Sequence, residues 1–167
     1  TGFVLNYNGK THVITVHHFL PIDQVYDESD NQLDISINSS WSEGLILSTS
    51  DMNLSKYMIF SKLHNNLPKI NSRLSMKMGD TRIEFETNGY ELMPFDNLQM
   101  DVPTLLIRSR IISDNIELAS FSGSPVFVKD KIVGVFSKVR TDSNIAYIIP
   151  IYIITKNLEK EDNSNIY

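Results

Sequence analysis

The amino-acid sequence predicts an all-β fold that ends in one short helix. Short runs of alternating apolar and polar side chains, typical of half-buried strands, recur along the chain with turn residues between them. Helical periodicity is almost absent before Ile151, and a helix is expected from there to about Glu161. The chain has 167 residues, of which 41% are hydrophobic, so it is long enough for one domain with a substantial core.

Five strands are predicted in the first part of the chain. Asn8-Gly9 favours a tight hairpin turn between the first and second strands, because both residue types accept positive φ. The polar segment 22–32 predicts an exposed loop before the third strand. The predicted strands span residues 3–7, 11–17, 33–37, 44–48 and 57–63.

The second part of the chain continues the same pattern. Lys129-Asp130 separates two apolar runs and predicts another hairpin turn. Strands are predicted over residues 81–86, 102–111, 125–128, 131–137 and 144–151.

Two short motifs carry the residue types of nucleophilic catalysis. Residues 119–127 read Ala-Ser-Phe-Ser-Gly-Ser-Pro-Val-Phe and place Ser122 among small residues, while residues 12–18 read His-Val-Ile-Thr-Val-His-His and end in His18. A serine hydroxyl becomes a good nucleophile when a base removes its proton, and histidine has the pKa for that role near neutral pH. Gly123 and Pro125 suit a tight turn, in which backbone N–H groups can converge on a developing oxyanion.

These motifs resemble two segments of the chymotrypsin-like serine proteases. Residues 119–127 resemble the nucleophile loop G-x-S-G-S-P-V, and residues 13–18 resemble the strand-to-histidine segment V-L-T-A-A-H. The order is also that of the superfamily, with the histidine first and the serine 104 residues later. The hairpin after the serine and the closing strand Ala-Tyr-Ile-Ile-Pro-Ile extend the resemblance. Between residues 25 and 105 the chain matches the family only in the pattern of its residues.

The resemblance implies a chymotrypsin-like double barrel, in which two six-stranded antiparallel barrels and a short C-terminal helix form a single domain. It implies a first barrel over about 1–66, a link over 67–71, a second barrel over about 72–151, and a helix and tail over 152–167. Because the catalytic residues of such enzymes come from separate segments, the fold has to bring the two motifs together.

By the same resemblance, His18 is the general base and Ser122 the nucleophile of a serine endopeptidase. The backbone N–H groups of Ser120 and Ser122 are expected to form the oxyanion hole. Ser120 stands where the family has a glycine, so we expect an oxyanion hole that is at least partly collapsed without substrate. His17 points to the opposite side of the strand end from His18 and is expected to be a bystander.

The sequence leaves the acid of the catalytic triad open. Alignment without gaps to the family strand D-I-A-L-L-K-L puts Tyr57 at the acid position, and a phenol cannot stabilise an imidazolium by charge. A short gap brings Asp51 or Asn53 to the site, and Asp51 is the favoured candidate, although it also fits an ordinary turn or N-cap. A His–Ser dyad, or a water or an amide in the third place, is the alternative. Asp34 lies in a segment whose alternation predicts an ordinary strand.

The primary specificity pocket of the family is lined by residues just before the nucleophile and by the strand after the hairpin. Ile116, Phe136 and Ser137 occupy those positions here and are the predicted substrate-binding residues. Ile116 falls near the pocket floor, where trypsin-like members carry an acid. An apolar floor disfavours cleavage after Lys or Arg.

Composition and charge restrict the partners. The net charge of −5 argues against nucleic acid as the main partner. The sequence contains no apolar run of about 18 residues, so no membrane span is predicted. Neither a metal nor an organic cofactor is implied. The absence of cysteine contrasts with the disulfide-stapled secreted members and favours the cytoplasm of a host cell or a virion.

Further features favour a viral member. Phe121 replaces the aspartate that zymogen-activated relatives pair with a new N-terminal amine, a position that also varies in viral enzymes. The chain enters a strand at Phe3 without a signal peptide, as expected for a domain processed out of a larger precursor, so a precursor or virion partner is expected.

The leading interpretation is a serine endopeptidase that cleaves polypeptide substrates through an acyl-enzyme. Its rival is a catalytically inactive module of the same fold that binds a partner or builds a particle, and Tyr57 and Ser120 favour that rival. A third interpretation is an unrelated all-β binding domain in which Ser-Gly-Ser-Pro arises by chance.

Overall fold

Alternating side chains and turn residues produce a mostly β structure with one α-helix in the part of the chain that the computed structural model describes. The described residues are 1–17, 22, 24–27, 29–41, 43–49, 58–94, 103–113, 118–140 and 142–164. The strands of the first half are β1 Phe3–Tyr7, β2 Lys10–Val16, β3 Val25–Tyr26, β4 Gln32–Leu33, β5 Ile35–Trp41, β6 Gly44–Thr49 and β7 Ile59–Phe60. The second half contains β8 Arg73–Met78, β9 Thr81–Met93, β10 Thr104–Ile111, β11 Pro125–Val128, β12 Lys131–Arg140, β13 Ile145–Pro150 and the helix α1 Ile151–Ser164.

The first half forms a five-stranded sheet in the order β5-β6-β2-β1-β7. The predicted turn between β1 and β2 is confirmed, because Tyr7 pairs with Lys10 and both Asn8 and Gly9 have positive φ, 52° and 79°. β7 joins β1 in parallel through only two residue pairs, Val4 with Ile59 and Leu5 with Phe60.

The segment predicted as an exposed loop over 22–32 contains a small two-stranded ribbon instead, β3 with β4. The side chain of Asp27 explains the turn between them, because its Oδ1 accepts hydrogen bonds from the backbone N–H groups of Ser29 and Asn31, each at 2.9 Å. Hydrogen bonds to one local side chain thus stabilise a β-ribbon in a segment whose polarity predicts only a loop.

The second half forms a closed barrel in the order β10-β13-β12-β11-β8-β9. The predicted turn at Lys129-Asp130 is confirmed, since Val128 pairs with Lys131 and Lys129 has a φ of 54°. The prediction of an all-β fold with a C-terminal helix is confirmed, and so is one closed six-stranded barrel. Within the described residues the sheet of the first half does not close, so a second closed barrel stays a prediction.

Two hydrophobic cores share the strands β12 and β13. One core fills the barrel and includes Val133, Phe136 and Ile148, whereas the other includes Ile132, Val135 and Ile149. Alternate residues of each strand face opposite sides, so neighbouring residues enter different cores. All six residues of β13 are buried for this reason.

The core that includes Ile132, Val135 and Ile149 joins the barrel to the first sheet and the helix. It contains Leu5 and Ile14 of the sheet together with Ile151, Ile154 and Leu158 of α1. The helical residues recur at spacings of three and four, which places them on one face of the helix. No helix among the described residues is long and apolar enough to cross a lipid bilayer.

Candidate active site

Ser122 lies in a short loop that leads into β11. A 3-10 turn over Ala119–Phe121 precedes it, and the chain becomes extended at Ser122, with φ −52° and ψ 133°. Backbone bonds hold the turn, from Phe121 N to Leu118 O and from Ser124 N to Phe121 O, each at 3.0 Å. Ser122 is only 3% exposed. We call residues 118–124 the nucleophile loop.

The nucleophile loop is fixed to the barrel through one residue of β12. Gly123 N donates to Phe136 O at 2.7 Å, and Phe136 N donates to Ser124 O at 2.9 Å. The pairing of Pro125 with Val135 continues this ladder into β11. The backbone of the loop is therefore held at Gly123 and Ser124.

The opposite side of the loop contacts the first sheet. An added Cβ at Gly123 would lie 1.8 Å from Thr1 O and 2.7 Å from Thr15 Oγ1, and Gly123 has a φ of +95°. Thr15 Oγ1 donates to Thr1 O at 2.6 Å, and Thr1 Oγ1 donates to Ser120 O at 3.3 Å. Glycine is required at 123 both for its φ and for this close approach. The end of β2, which carries the histidine motif, thus lies against the nucleophile loop.

Three of the predicted site residues, His18, Asp51 and Ile116, lie outside the described residues. Their assignments as base, acid and pocket residue therefore stay predictions. His17 is the last described residue of the histidine motif, and its backbone N donates to Glu43 O at 2.6 Å.

The predicted oxyanion residue Ser120 lies within the 3-10 turn. It is not among the residues with positive φ, so its backbone does not have the shape that only glycine adopts easily. Its carbonyl accepts the bond from Thr1, and the residue is exposed.

The two described pocket candidates are fully buried in β12. The ring of Phe136 stacks on Phe85 inside the barrel, with centroids 6.1 Å apart. Ser137 Oγ instead donates to Glu43 Oε1 at 3.2 Å, across to the first sheet. Their roles in substrate binding stay predictions.

Sequence reasoning missed Glu43, a fully buried carboxylate that accepts the hydrogen bond from Ser137. It lies in the connection between β5 and β6, where Trp41 pairs with Gly44. In the sequence it looks like an ordinary acid in a hairpin turn, because nothing local indicates that the turn is covered by the other half of the molecule.

The solved structures named below, to which this chain is similar, are chymotrypsin-like proteases. No family model matches the sequence, and no curated protein does. The Rv3671c protease of M. tuberculosis, in an inactive form, has a TM-score of 0.66 at 15% identity, over 95% of this chain and 81% of that one. Protease A of Thermobifida fusca has a TM-score of 0.62 at 10% identity, over 95% and 87% of the two chains. The NS6 protease of murine norovirus has a TM-score of 0.54 at 13% identity, over 83% of each chain.

At these identities the likeness establishes the fold. The chain has the chymotrypsin-like protease fold, as the resemblance of its motifs predicts. An unrelated all-β domain with a chance Ser-Gly-Ser-Pro is therefore the wrong interpretation.

Proposed function

We propose that this protein is a serine endopeptidase that cleaves polypeptides through an acyl-enzyme intermediate, with Ser122 as nucleophile and His18 as base. The contact between Gly123 and Thr15 carries this proposal. It holds the loop of the candidate serine against the end of the strand that leads into the candidate histidine. The two motifs come from distant parts of the chain and meet in a protease fold.

The reaction uses one proton shuttle. Ser122 Oγ attacks the carbonyl carbon of the scissile peptide while His18 accepts the hydroxyl proton, and the carbonyl oxygen becomes an oxyanion. Collapse of this intermediate breaks the C–N bond, and the leaving amine takes the proton from His18. A water molecule then repeats both steps on the acyl-enzyme, which releases the new carboxyl group and restores Ser122.

The oxyanion would be stabilised by the N–H groups of Ser120 and Ser122. The 3-10 turn over Ala119–Phe121 supports a resting state in which these groups do not yet converge. In such a turn each N–H is directed along the turn axis toward a preceding carbonyl, as Phe121 N is toward Leu118 O. Substrate binding would then have to reorient this segment, which lowers the basal rate.

The substrate we propose is a viral protein or polyprotein, cleaved in the cytoplasm of a host cell or in a virion. The NS6 structure includes the P1′–P2′ residues of NS7 as a C-terminal extension. That example, the predicted viral features and the absence of cysteine support this setting. An apolar residue at 116 supports cleavage after residues other than Lys and Arg.

One observation favours a second function, an inactive module of this fold that binds a partner. Ser120 replaces a glycine and lies in the 3-10 turn, as expected if the loop is no longer required to bind an oxyanion.

A fluorophosphonate probe separates the two functions, because it forms a bond to an activated serine oxygen with loss of fluoride. We expect labelling of the wild type and none in Ser122→Ala. His18→Ala should be labelled slower by about 10⁴-fold or more, while His17→Ala, whose backbone bond to Glu43 is kept, keeps the wild-type rate. A wild type that does not react would favour the inactive module, whereas a Ser122→Ala variant that reacts equally would overturn the assignment of Ser122 as the nucleophile.

A further inference from the structure

Glu43 is a carboxylate that the fold removes completely from water. Glutamate is rarely buried to this extent, because the lost hydration of the charge has to be offset by hydrogen-bond donors or a cation. Ser137 supplies one donor, from Oγ to Glu43 Oε1 at 3.2 Å. The burial of this carboxylate therefore depends on particular partners such as Ser137.

On one side, Glu43 is tied to the nucleophile loop through consecutive residues of β12. Ser137 donates to the carboxylate, and its neighbour Phe136 bonds the backbone of Gly123 and Ser124. Two consecutive residues of β12 thus anchor both the loop of the candidate nucleophile and the buried carboxylate.

On the other side, Glu43 is tied to the histidine motif. Its carbonyl accepts the backbone N–H of His17 at 2.6 Å, and the preceding pair in the sheet is Val16 with Gly44. His18 is the next residue in the chain. A single residue therefore connects the end of the histidine motif to the strand that holds the serine loop.

We propose that Glu43 is the acid of the triad, a positioning residue whose carboxylate accepts the Nδ1–H of His18. This rests on the proposed function. A catalytic histidine needs an acceptor that fixes its tautomer and stabilises the imidazolium formed during the reaction. An ionised carboxylate can accept about four hydrogen bonds, so the bond from Ser137 is compatible with a second one from an imidazole.

The proposal also explains why the acid is missing where the family has it. Tyr57 stands at the aligned position in the sequence, and Asp51 lies six residues before it in the chain. In this proposal the acid comes instead from the hairpin between β5 and β6, and the extra methylene of a glutamate gives it a longer reach than an aspartate. Ser137 holds one oxygen of this carboxylate by a hydrogen bond.

The test compares Glu43→Gln, Glu43→Asp and Asp51→Asn with the wild type. Glu86→Gln is the matched control, because Glu86 lies on the barrel strand β9 beside Arg73 and Arg110. Rates of fluorophosphonate labelling and of hydrolysis of a fluorescent casein are measured, with circular dichroism as the check on folding. Proton NMR follows the Nδ1–H resonance of His18, which is assigned by its loss in His18→Ala.

We expect labelling of Glu43→Gln to slow by about 10²- to 10⁴-fold, with kcat reduced and KM unchanged. Glu43→Asp should fall between this variant and the wild type, and Glu86→Gln should equal the wild type. The strongly deshielded Nδ1–H resonance of a histidine bonded to a carboxylate should disappear in Glu43→Gln. A merely structural role of Glu43 would leave this resonance and kcat in place.

Each contrary outcome has a distinct meaning. A wild type that does not react overturns the proposed function and this inference with it. If the wild type reacts and a folded Glu43→Gln variant reacts equally fast, the inference alone is overturned. If the rate of Asp51→Asn is also strongly reduced in that case, the role of the acid belongs to Asp51. If Glu43→Gln does not fold, Glu43→Asp decides, because a wild-type rate and an unchanged resonance in that variant also overturn the inference.

Discussion

The two halves of the molecule differ in how they complete their sheets. The second half closes into a barrel of six strands, whereas the described part of the first half is a five-stranded sheet in which β7 pairs over two residues. The barrel provides the nucleophile loop, and the sheet provides the histidine motif and Glu43. Neither half contains the candidate site by itself, so its geometry depends on the contacts between them.

Those contacts are of several kinds. The shared core is hydrophobic and includes residues of both halves and of α1. The polar contacts near the candidate site include the Glu43–Ser137 bond and the Thr1–Ser120 bond, and Gly123 lies close against Thr1 and Thr15. Hydrophobic burial is not directional, so the polar contacts have to set the register of the site.

The largest expected effect comes from breaking the approach at Gly123. Gly123→Ala should destabilise the fold by about 2–5 kcal/mol, because the new Cβ adds backbone strain at positive φ to a clash with Thr1 O. Gly9→Ala is the control, since Gly9 also has positive φ but nothing within 4 Å of its Cβ position, and it should cost about 1 kcal/mol. Chemical denaturation measures both, and equal losses would mean that the close contact is not required.

A smaller effect, on the rate of hydrolysis, is expected from a substitution that helps the nucleophile loop to form the oxyanion hole. Ser120→Gly should raise the rate of casein hydrolysis by up to about tenfold, because glycine relieves roughly 1 kcal/mol of strain when the loop forms the oxyanion hole. The rate constant is compared with that of the wild type at saturating substrate. An unchanged rate, together with a structure in which both N–H groups already converge, would rule out the collapsed resting state.

The smallest effect is expected at an ion pair between the halves. Lys62 Nζ lies 3.2 Å from Asp130 Oδ2, and this bond lowers the pKa of the Asp130 carboxyl. Both side chains are exposed, and backbone bonds from Ile132 N to Lys62 O and from His64 N to Ile132 O already join these segments. Asp130→Asn should therefore leave the denaturation midpoint unchanged at physiological salt.

The pH dependence of stability shows whether the Lys62–Asp130 pair stabilises or destabilises the fold. A carboxyl with a lowered pKa stabilises the fold above its unfolded-state pKa, and the contribution disappears as the pH falls through the folded-state value. Any difference between wild type and Asp130→Asn seen at low salt should vanish in acid. A difference that grows in acid would show that Asp130 acts in another way.

Much of the fold could be predicted because its signals are local. Asn8-Gly9 and Lys129-Asp130 form the expected turns, and the helix begins at Ile151 as its periodicity indicates. Such features depend on residues within a few positions of one another. The ribbon of β3 and β4 was missed because it depends on one side chain, Asp27, that accepts bonds from its neighbours.

The candidate site divides in the same way. The sequence predicts Ser122 as the nucleophile and Gly123 in a tight turn, because a nucleophile loop needs small residues in a fixed order, and the structure places both residues in one short loop. Glu43 could not be found, since its partner Ser137 lies 94 residues away and its burial is produced by packing between the halves.

The sequence by itself determined the strand periodicity, the two tight turns and the chemical types in the two motifs, because these are set by covalent neighbours. Only the tertiary structure decided that Thr15 meets Gly123 and that Glu43 faces Ser137 in the interior. The physical reason is that the environment of a carboxylate depends on which groups exclude water around it. Those groups come from a sheet and a barrel that are distant in sequence.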